Sequence, residues 1–213
     1  MAVTFAHVEP DEAWGVFQWH RGFAAADNHL FPRTWEHYEA LANDSQVVKA
    51  SDERGLLGLA YYALDGSCWE VGGLMVAASK RGSGVGATLM RVTLGHLLFE
   101  ENPLERGESV IAHVHRDNAK PRTIIEEHLR FQFTKHIQAR SSDLPGLSAD
   151  PDGFVYGDEF ELSLPASLEA LAVWCDSWRG VLLDGSSATI ELRDGISLEV
   201  WSAAFRDMAT RHS

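Results

Sequence analysis

Between Val76 and Thr93 the chain reads VAASKRGSGVGATLMRVT, with Gly82, Ser83, Gly84, Val85, Gly86 and Ala87 running in succession behind Lys80 and Arg81. Glycine lets a backbone turn sharply and lets a ligand approach the main chain closely. The helical pattern that follows begins at Gly84 or Gly86, and the first N–H groups of a helix have no partners inside it. Together with the helix dipole they make an anion site. Lys80 and Arg81 add positive charge beside it. The chemistry predicted is a diphosphate held by main-chain amides between a strand and a helix. A turn built for packing alone would use the same glycines.

A second stretch, SVIAHVHRDN, places His113 and His115 on one face of an alternating strand. His115 ends that strand, where it can shuttle a proton; both histidines also fit as half-buried strand residues. A His-x-His pair can begin a metal site, but no third ligand has suitable spacing, so no metal is expected.

Among phosphate loops, a Walker A turn would close on Gly-Lys-Ser/Thr, and Gly86-Ala87-Thr88 lacks the lysine. Gly82 to Ala87 matches G-x-G-x-x-A formally. Yet polar Ser79-Lys80-Arg81 precedes it where an apolar strand should, and Glu100 and Glu101 fall before Asn102-Pro103 rather than at a strand end.

The segment LMVAASKRGSGVGATLM resembles the acetyl-coenzyme A signature of the GCN5-related N-acetyltransferases (GNAT), with Arg81, Gly84 and Gly86 at the motif positions and Val76 at the strand position. The order of elements from Val3 to about Leu164 is also similar to that family's. Further on, RDNAKPRTIIEEHLRFQF puts Asn118 at the family's Asn position. Ile125 stands where the family has a Tyr general acid, and Arg130-Phe131 replaces Gly-Phe.

The resemblance implies transfer of an acetyl group from acetyl-coenzyme A to a primary amine of a small molecule or peptide. The cofactor would lie on residues 81–87 and Asn118. Main-chain N–H near Met75 or Val76 would face the oxyanion. Glu70, eleven residues before Arg81, is the implied general base, removing a proton from an amine of pKa ~10. Gly72-Gly73 would bulge the strand and open a slot for the pantetheine arm. His29 and Phe31, in the DNHLFPR link, would border the acceptor. Glu70 as a solvent-facing strand residue and Asn118 as a plain turn residue remain the competing readings, and a non-catalytic acyl-coenzyme A binding module is the competing function.

These residues need a scaffold. VTFAHVEP reads as a strand, with helices capped by Asp11 and Thr34 after it. QVVKA, LLGLAYYAL and CWEVGGLMVA form an antiparallel meander across turn residues. Val85, Leu89, Met90, Leu94, Leu97 and Leu98 make one apolar helical stripe, with Thr88 and Arg91 off it. A strand, a helix from Pro121 to Leu129 and two more strands follow. The expected class is α/β (α+β): a GNAT-like three-layer fold, a mixed, mostly antiparallel sheet with helices on both faces.

Residues 1–165 would be the acetyl-coenzyme A domain and 166–213 a helix–hairpin–helix extension, packed on it or joining a homodimer. The hairpin would run ATIELR to ISLEVW through Asp194-Gly195, and Trp174, Trp178 and Trp201 would fill a small core.

The chain has 213 residues, enough for one sizeable core. A net charge of -13 opposes nucleic acid and anionic membranes and suits a cationic acceptor, or solubility alone. Cys68 and Cys175, without paired spacing, suit free thiols in a reducing cytoplasm.

Overall fold

A computed structural model describes residues 2–212 apart from Asn28 and Pro145, and Asp194 by its backbone only. β1 (Val3–His7) leads into α1 (Ala13–Ala24) and α2 (Trp35–Asn43). The meander follows as β2 (Val47–Asp52), β3 (Gly55–Asp65) and β4 (Cys68–Val76), antiparallel throughout. Then come α3 (Val85–His96), β5 (Ser109–His115), the short α4 (Ala119–Thr123), β6 (Gln132–Arg140) and β7 (Phe154–Glu161). α5 (Ala166–Ser177), β8 (Ala188–Ile190) and α6 (Leu198–Arg211) complete the chain. The strands form one mixed sheet in the order β6-β7-β5-β4-β3-β2-β1-β8. Among the described residues only β4–β5 and β1–β8 pair in parallel.

One face of the sheet carries α1 and α2, packed through Phe17, Tyr38, Leu41, Leu59, Tyr61 and Met75. Thr34 caps α2 as its sequence predicts, accepting from the His37 N–H. For α1 the cap falls on Glu12 rather than Asp11, and the Glu12 carboxylate accepts from the Glu9 N–H and pairs with Lys49.

The other face carries α3, α5 and α6. Every residue of the expected α3 stripe is buried there. Thr88 and Thr93 are buried too, so Thr88 is not on a free face. The C-terminal segment covers the outer side of α3, and Arg91 lies half-buried with its guanidinium 5.7 Å over the Trp174 ring. At Gly95 the approach is so close that a Cβ would meet the Trp201 ring at 2.3 Å. The core on this face is continuous from Val3 and Phe5 to Trp201 and Phe205.

The hairpin expected between residues 188 and 201 is not formed. β8 instead pairs with β1, Val3 opposite Ala188 and Phe5 opposite Ile190, and residues 193–195 make a 3-10 turn. ISLEVW opens α6, where Ser197 caps the Val200 N–H. Four alternating residues are a weak strand signal. They yield to a capped helix whose Trp201, Phe205 and Met208 face the core.

Candidate active site

The β4 strand carries the bulge that Gly72-Gly73 predicts. Tyr61 pairs with Gly72 and Leu59 with Met75, so three steps on β4 oppose two on β3. Gly73 has φ 62, and a Cβ there would stand 2.0 Å from the Tyr61 ring, so only glycine fits. β4 and β5 stay paired from Cys68 to Glu70, opposite Ser109 to Ile111, and then part. In the gap lies a cavity of ≈ 80 Å³, bordered by Gly72, Gly73, His113, His115 and Asn118. It adjoins a larger cleft of ≈ 420 Å³, and Leu74, Asn118, Pro121 and Ile124 line both.

The glycine loop forms the other end of that cleft. Gly82 and Gly84 take positive φ (83 and 95), and α3 begins at Val85 without a side-chain cap on Gly84. Gly82, Gly84, Gly86 and Ala87 line the cleft, so the first turn of the helix presents its amides there. Ser83 is turned inward: its Oγ donates to Lys80 O at 2.6 Å and faces the Val85 N–H. The Val85 side chain lies in the core. These two residues shape the loop while their neighbours face the space.

Arg81 lies along the cleft wall, donating from Nε to Val76 O at 3.3 Å, with its guanidinium 5.7 Å from the Phe23 ring. Lys80 also borders the cleft, with Nζ 3.1 Å from the Asp184 carboxylate, and Arg81 Nη2 lies 4.0 Å from the Asp27 carboxylate. The positive charge beside the loop is therefore partly balanced by Asp184 and Asp27.

The Ala77 N–H donates to Leu57 O of β3 at 2.8 Å. Strand alternation then turns the amide of Met75 toward β3 as well and those of Leu74 and Val76 away from it. The Met75 side chain is buried under α1 and α2, while the Val76 side chain lines the cleft. Of the two amides the sequence pointed to, Val76 has the orientation that faces the gap.

Glu70 and His113 meet across the seam. Glu70 pairs with Ile111, His113 lies two residues further along β5 on the same face, and its partner on β7 is Glu159. The side chains follow this register. His113 Nδ1 is 3.1 Å from Glu70 Oε1 and His113 Nε2 is 3.3 Å from Glu159 Oε2. Both ring nitrogens face carboxylates, which raises the His113 pKa against the opposing effect of burial. Burial pushes Glu70 up, but His113, Arg33 and His37 outweigh it and hold the carboxylate below its ordinary range. Arg33 also donates to the Tyr61 hydroxyl at 2.8 Å, tying this group to the bulge.

His115 has a different setting. Its Nδ1 accepts from the Asp117 N–H at 3.2 Å and its Nε2 faces Ser148 O at 3.3 Å. Both nitrogens thus face main-chain partners, where those of His113 face carboxylates. His113, to which its sequence context gave no separate role, is the one joined to Glu70. His29 stacks edge-on against His115 at 4.8 Å and borders the small cavity. Phe31 borders neither space and instead lies 5.4 Å from the Arg33 guanidinium. Asn118 reaches both spaces, and Ile125 is buried at the slot's inner wall.

Among the described residues one cluster has the make-up of a metal site: His7, His96 and Glu100, none of which lines the cleft or the slot. His96 Nδ1 lies 2.7 Å from Glu100 Oε1, and the Tyr62 hydroxyl donates to Glu100 Oε2 at 3.3 Å, the spacing of a hydrogen-bond network.

This arrangement of strands and helices superposes on solved structures. An acetyltransferase of the GNAT family from Streptococcus pneumoniae superposes with a TM-score of 0.56 over 75% of this chain and 98% of its own, at 12% identity. The chain has the GNAT fold. The same is seen with yncA from Salmonella typhimurium, solved with its cofactor acetyl-CoA, at 0.53, 15% identity and 76% and 95% coverage. The NatC complex bound to Gag peptide and CoA gives 0.55, 14% identity and 77% and 99% coverage. No protein-family model and no curated protein matches the chain. Among the described residues no helix is long and apolar enough to cross a membrane. Both cysteines are free thiols, Cys175 buried.

Proposed function

We propose that this chain transfers an acetyl group from acetyl-coenzyme A to a primary amine of a small molecule or peptide. The observation that carries the reading is the glycine-rich start of α3, whose Gly84, Gly86 and Ala87 line a cleft that continues into the slot between β4 and β5. A diphosphate suits the amides there, and an extended arm suits the apolar passage past Leu74, Pro121 and Ile124. Two of the GNAT-fold structures above hold acetyl-CoA or CoA, and one of them a peptide as well.

The coenzyme supplies an activated acyl group: the amine nitrogen bonds to the carbonyl carbon, the C–S bond breaks, and the thiolate leaves with the electron pair. The Val76 N–H serves as donor to the carbonyl oxygen as negative charge grows there. The Glu70–His113 pair takes the amine proton. His113 borders the slot, and as an imidazolium it is held between Glu70 and Glu159. Glu70 thus acts as base through its pairing with His113, and Glu159 stabilises the proton once it has moved. Asn118 steadies the sulfur end of the arm. A thiol of pKa ~8.5 is a good leaving group, so protonation by a tyrosine is not required.

Ile125 at the tyrosine position favours one other reading, a non-catalytic acyl-coenzyme A binding module. Incubation with acetyl-coenzyme A and a panel of small amines and peptides, with free thiol followed, separates the two. Acceptor-dependent thiol release supports the transferase. Tight coenzyme binding with no release for any acceptor supports the binding module. Absence of coenzyme binding overturns both.

A further inference from the structure

Residues 181–187 lie outside the motifs and take no part in the chemistry above, yet they reach the glycine loop. They form a tight hairpin: Val181 bridges Ser187, the Leu182 N–H donates to Ser186 O at 2.9 Å, and Gly185 turns the chain with φ 79. Leu182 anchors the hairpin in the core, and β8 continues directly from it into the sheet. Its tip rests on the start of α3. Lys80 Nζ donates to Asp184 Oδ2 at 3.1 Å and to Ser186 Oγ at 3.3 Å. A Cβ on Gly84 would stand 3.1 Å from Leu183 Cγ. Leu183 is 83% exposed and still borders the ≈ 420 Å³ cleft.

The position of Leu183 along the cleft gives it a role. Leu74, Asn118, Pro121 and Ile124 border both spaces and mark the end next to the slot. Leu183 borders only the larger one, beside Gly82 and Gly84, and so marks the opposite end. If the acyl arm occupies the slot and the diphosphate the amides, the part of the coenzyme beyond the diphosphate falls to Leu183. That part is a nucleoside bearing a 3′-phosphate on its ribose, with an apolar base face that an exposed leucine can cover. We infer that the 181–187 hairpin forms the wall of a nucleoside subsite, with Leu183 as its contact and the Lys80–Asp184 ion pair as the clamp that positions it. This rests on the coenzyme reading under the proposed function.

The test compares coenzyme A with 4′-phosphopantetheine, which keeps the arm and one phosphate but lacks the nucleoside. Titration calorimetry of both ligands is run on the full chain and on Leu183→Ala, whose exposed position leaves folding intact. The expected result is about a fivefold weaker Kd for coenzyme A and no change for phosphopantetheine. Asp184→Asn, which loosens the clamp, shifts coenzyme A binding in the same direction and spares phosphopantetheine. Unchanged coenzyme A affinity in Leu183→Ala, or an equal loss for both ligands, overturns the subsite while leaving the coenzyme reading in place. A wild-type chain that binds neither ligand overturns the coenzyme reading and the subsite with it.

Discussion

His113 stands between two carboxylates, 3.1 Å from Glu70 on β4 and 3.3 Å from Glu159 on β7, at the edge of the slot where β4 and β5 separate. The flanking charges raise its pKa above the ordinary 6.5. To accept a proton from an amine His113 must first be neutral, which it becomes as pH rises through that raised value. Acetyl transfer should therefore show kcat/KM climbing with pH on a limb centred above 6.5. His113→Gln should remove the limb and lower kcat/KM by about 10²–10⁴-fold. Glu70→Gln should move the limb to lower pH, because one of the two anions that stabilise the imidazolium is gone, and should lower the rate with little effect on coenzyme affinity. A limb that stays in place in both variants would remove the pair from proton transfer.

Gly73 ties the slot to the fold. A side chain there meets the Tyr61 ring at 2.0 Å in a backbone conformation, φ 62, that L residues resist. Gly73→Ala combines left-handed strain with overpacking and should cost about 2–5 kcal/mol, read as a lower Tm by calorimetry. Because Tyr61 also holds Arg33, the displaced ring should disturb the Glu70 environment and depress acetyl transfer further than the stability loss explains. A Tm within a degree of wild type would mean the bulge tolerates a side chain.

How far the sequence alone reaches differs between parts of this molecule. The meander, the glycine loop and the α3 stripe are all written in local signals: turn residues at fixed offsets, glycine at positive φ, a 3.6-residue period. The bulge was legible too, from two consecutive glycines in a strand. The Glu70–His113–Glu159 array was not, because it depends on β5 lying beside β4 in parallel and beside β7 in antiparallel register, which no local pattern encodes. Alternation placed His113 and His115 on one face, but only the surrounding loop decides that His115 faces Asp117 and Ser148. The misread 188–201 stretch failed for a related reason. Three residues become a strand because β1 offers a free edge, and that edge is a tertiary fact. Leu183 and Asp184 carry no signal of their own.

The buried histidines His7 and His96, with the exposed Glu100, should make stability sensitive to acid. Burial depresses the His96 pKa from 6.5 to about 4. The unfolded chain then takes up a proton at a pH where the native His96 does not. The corresponding stability is whole above pH 6.5 and is lost as pH falls from there toward 4, a drop on the order of 3 kcal/mol. Burial raises Glu100, but hydrogen bonds from His7 and His96 outweigh it and hold the carboxylate below its usual range, so its loss comes at lower pH still and has the same sign. Urea unfolding at pH 7.5 and pH 5 should show more than half of this loss as a lower midpoint at pH 5, and His96→Gln should flatten it. Equal slopes in the two proteins would assign the acid sensitivity to other groups.

Trp201 is fully buried against Gly95, and the closeness of ring and backbone makes α6 and α3 a single packed unit. Trp201→Ala removes the ring from a site whose backbone cannot collapse to fill it, since the neighbouring Gly95 has no side chain to offer. The cost should be about 3–5 kcal/mol, large against the stability of a domain this size. The same packing says that residues 166–213 are not removable. β8 completes the sheet beside β1, and Leu168, Leu171, Trp201 and Phe205 sit in the same core as Phe5 and Leu94. A chain ending at Pro165 should therefore lose cooperative thermal unfolding and expose apolar surface to a hydrophobic dye. A truncated protein that melts cooperatively near the full-length Tm would show instead that the first 165 residues close a core of their own.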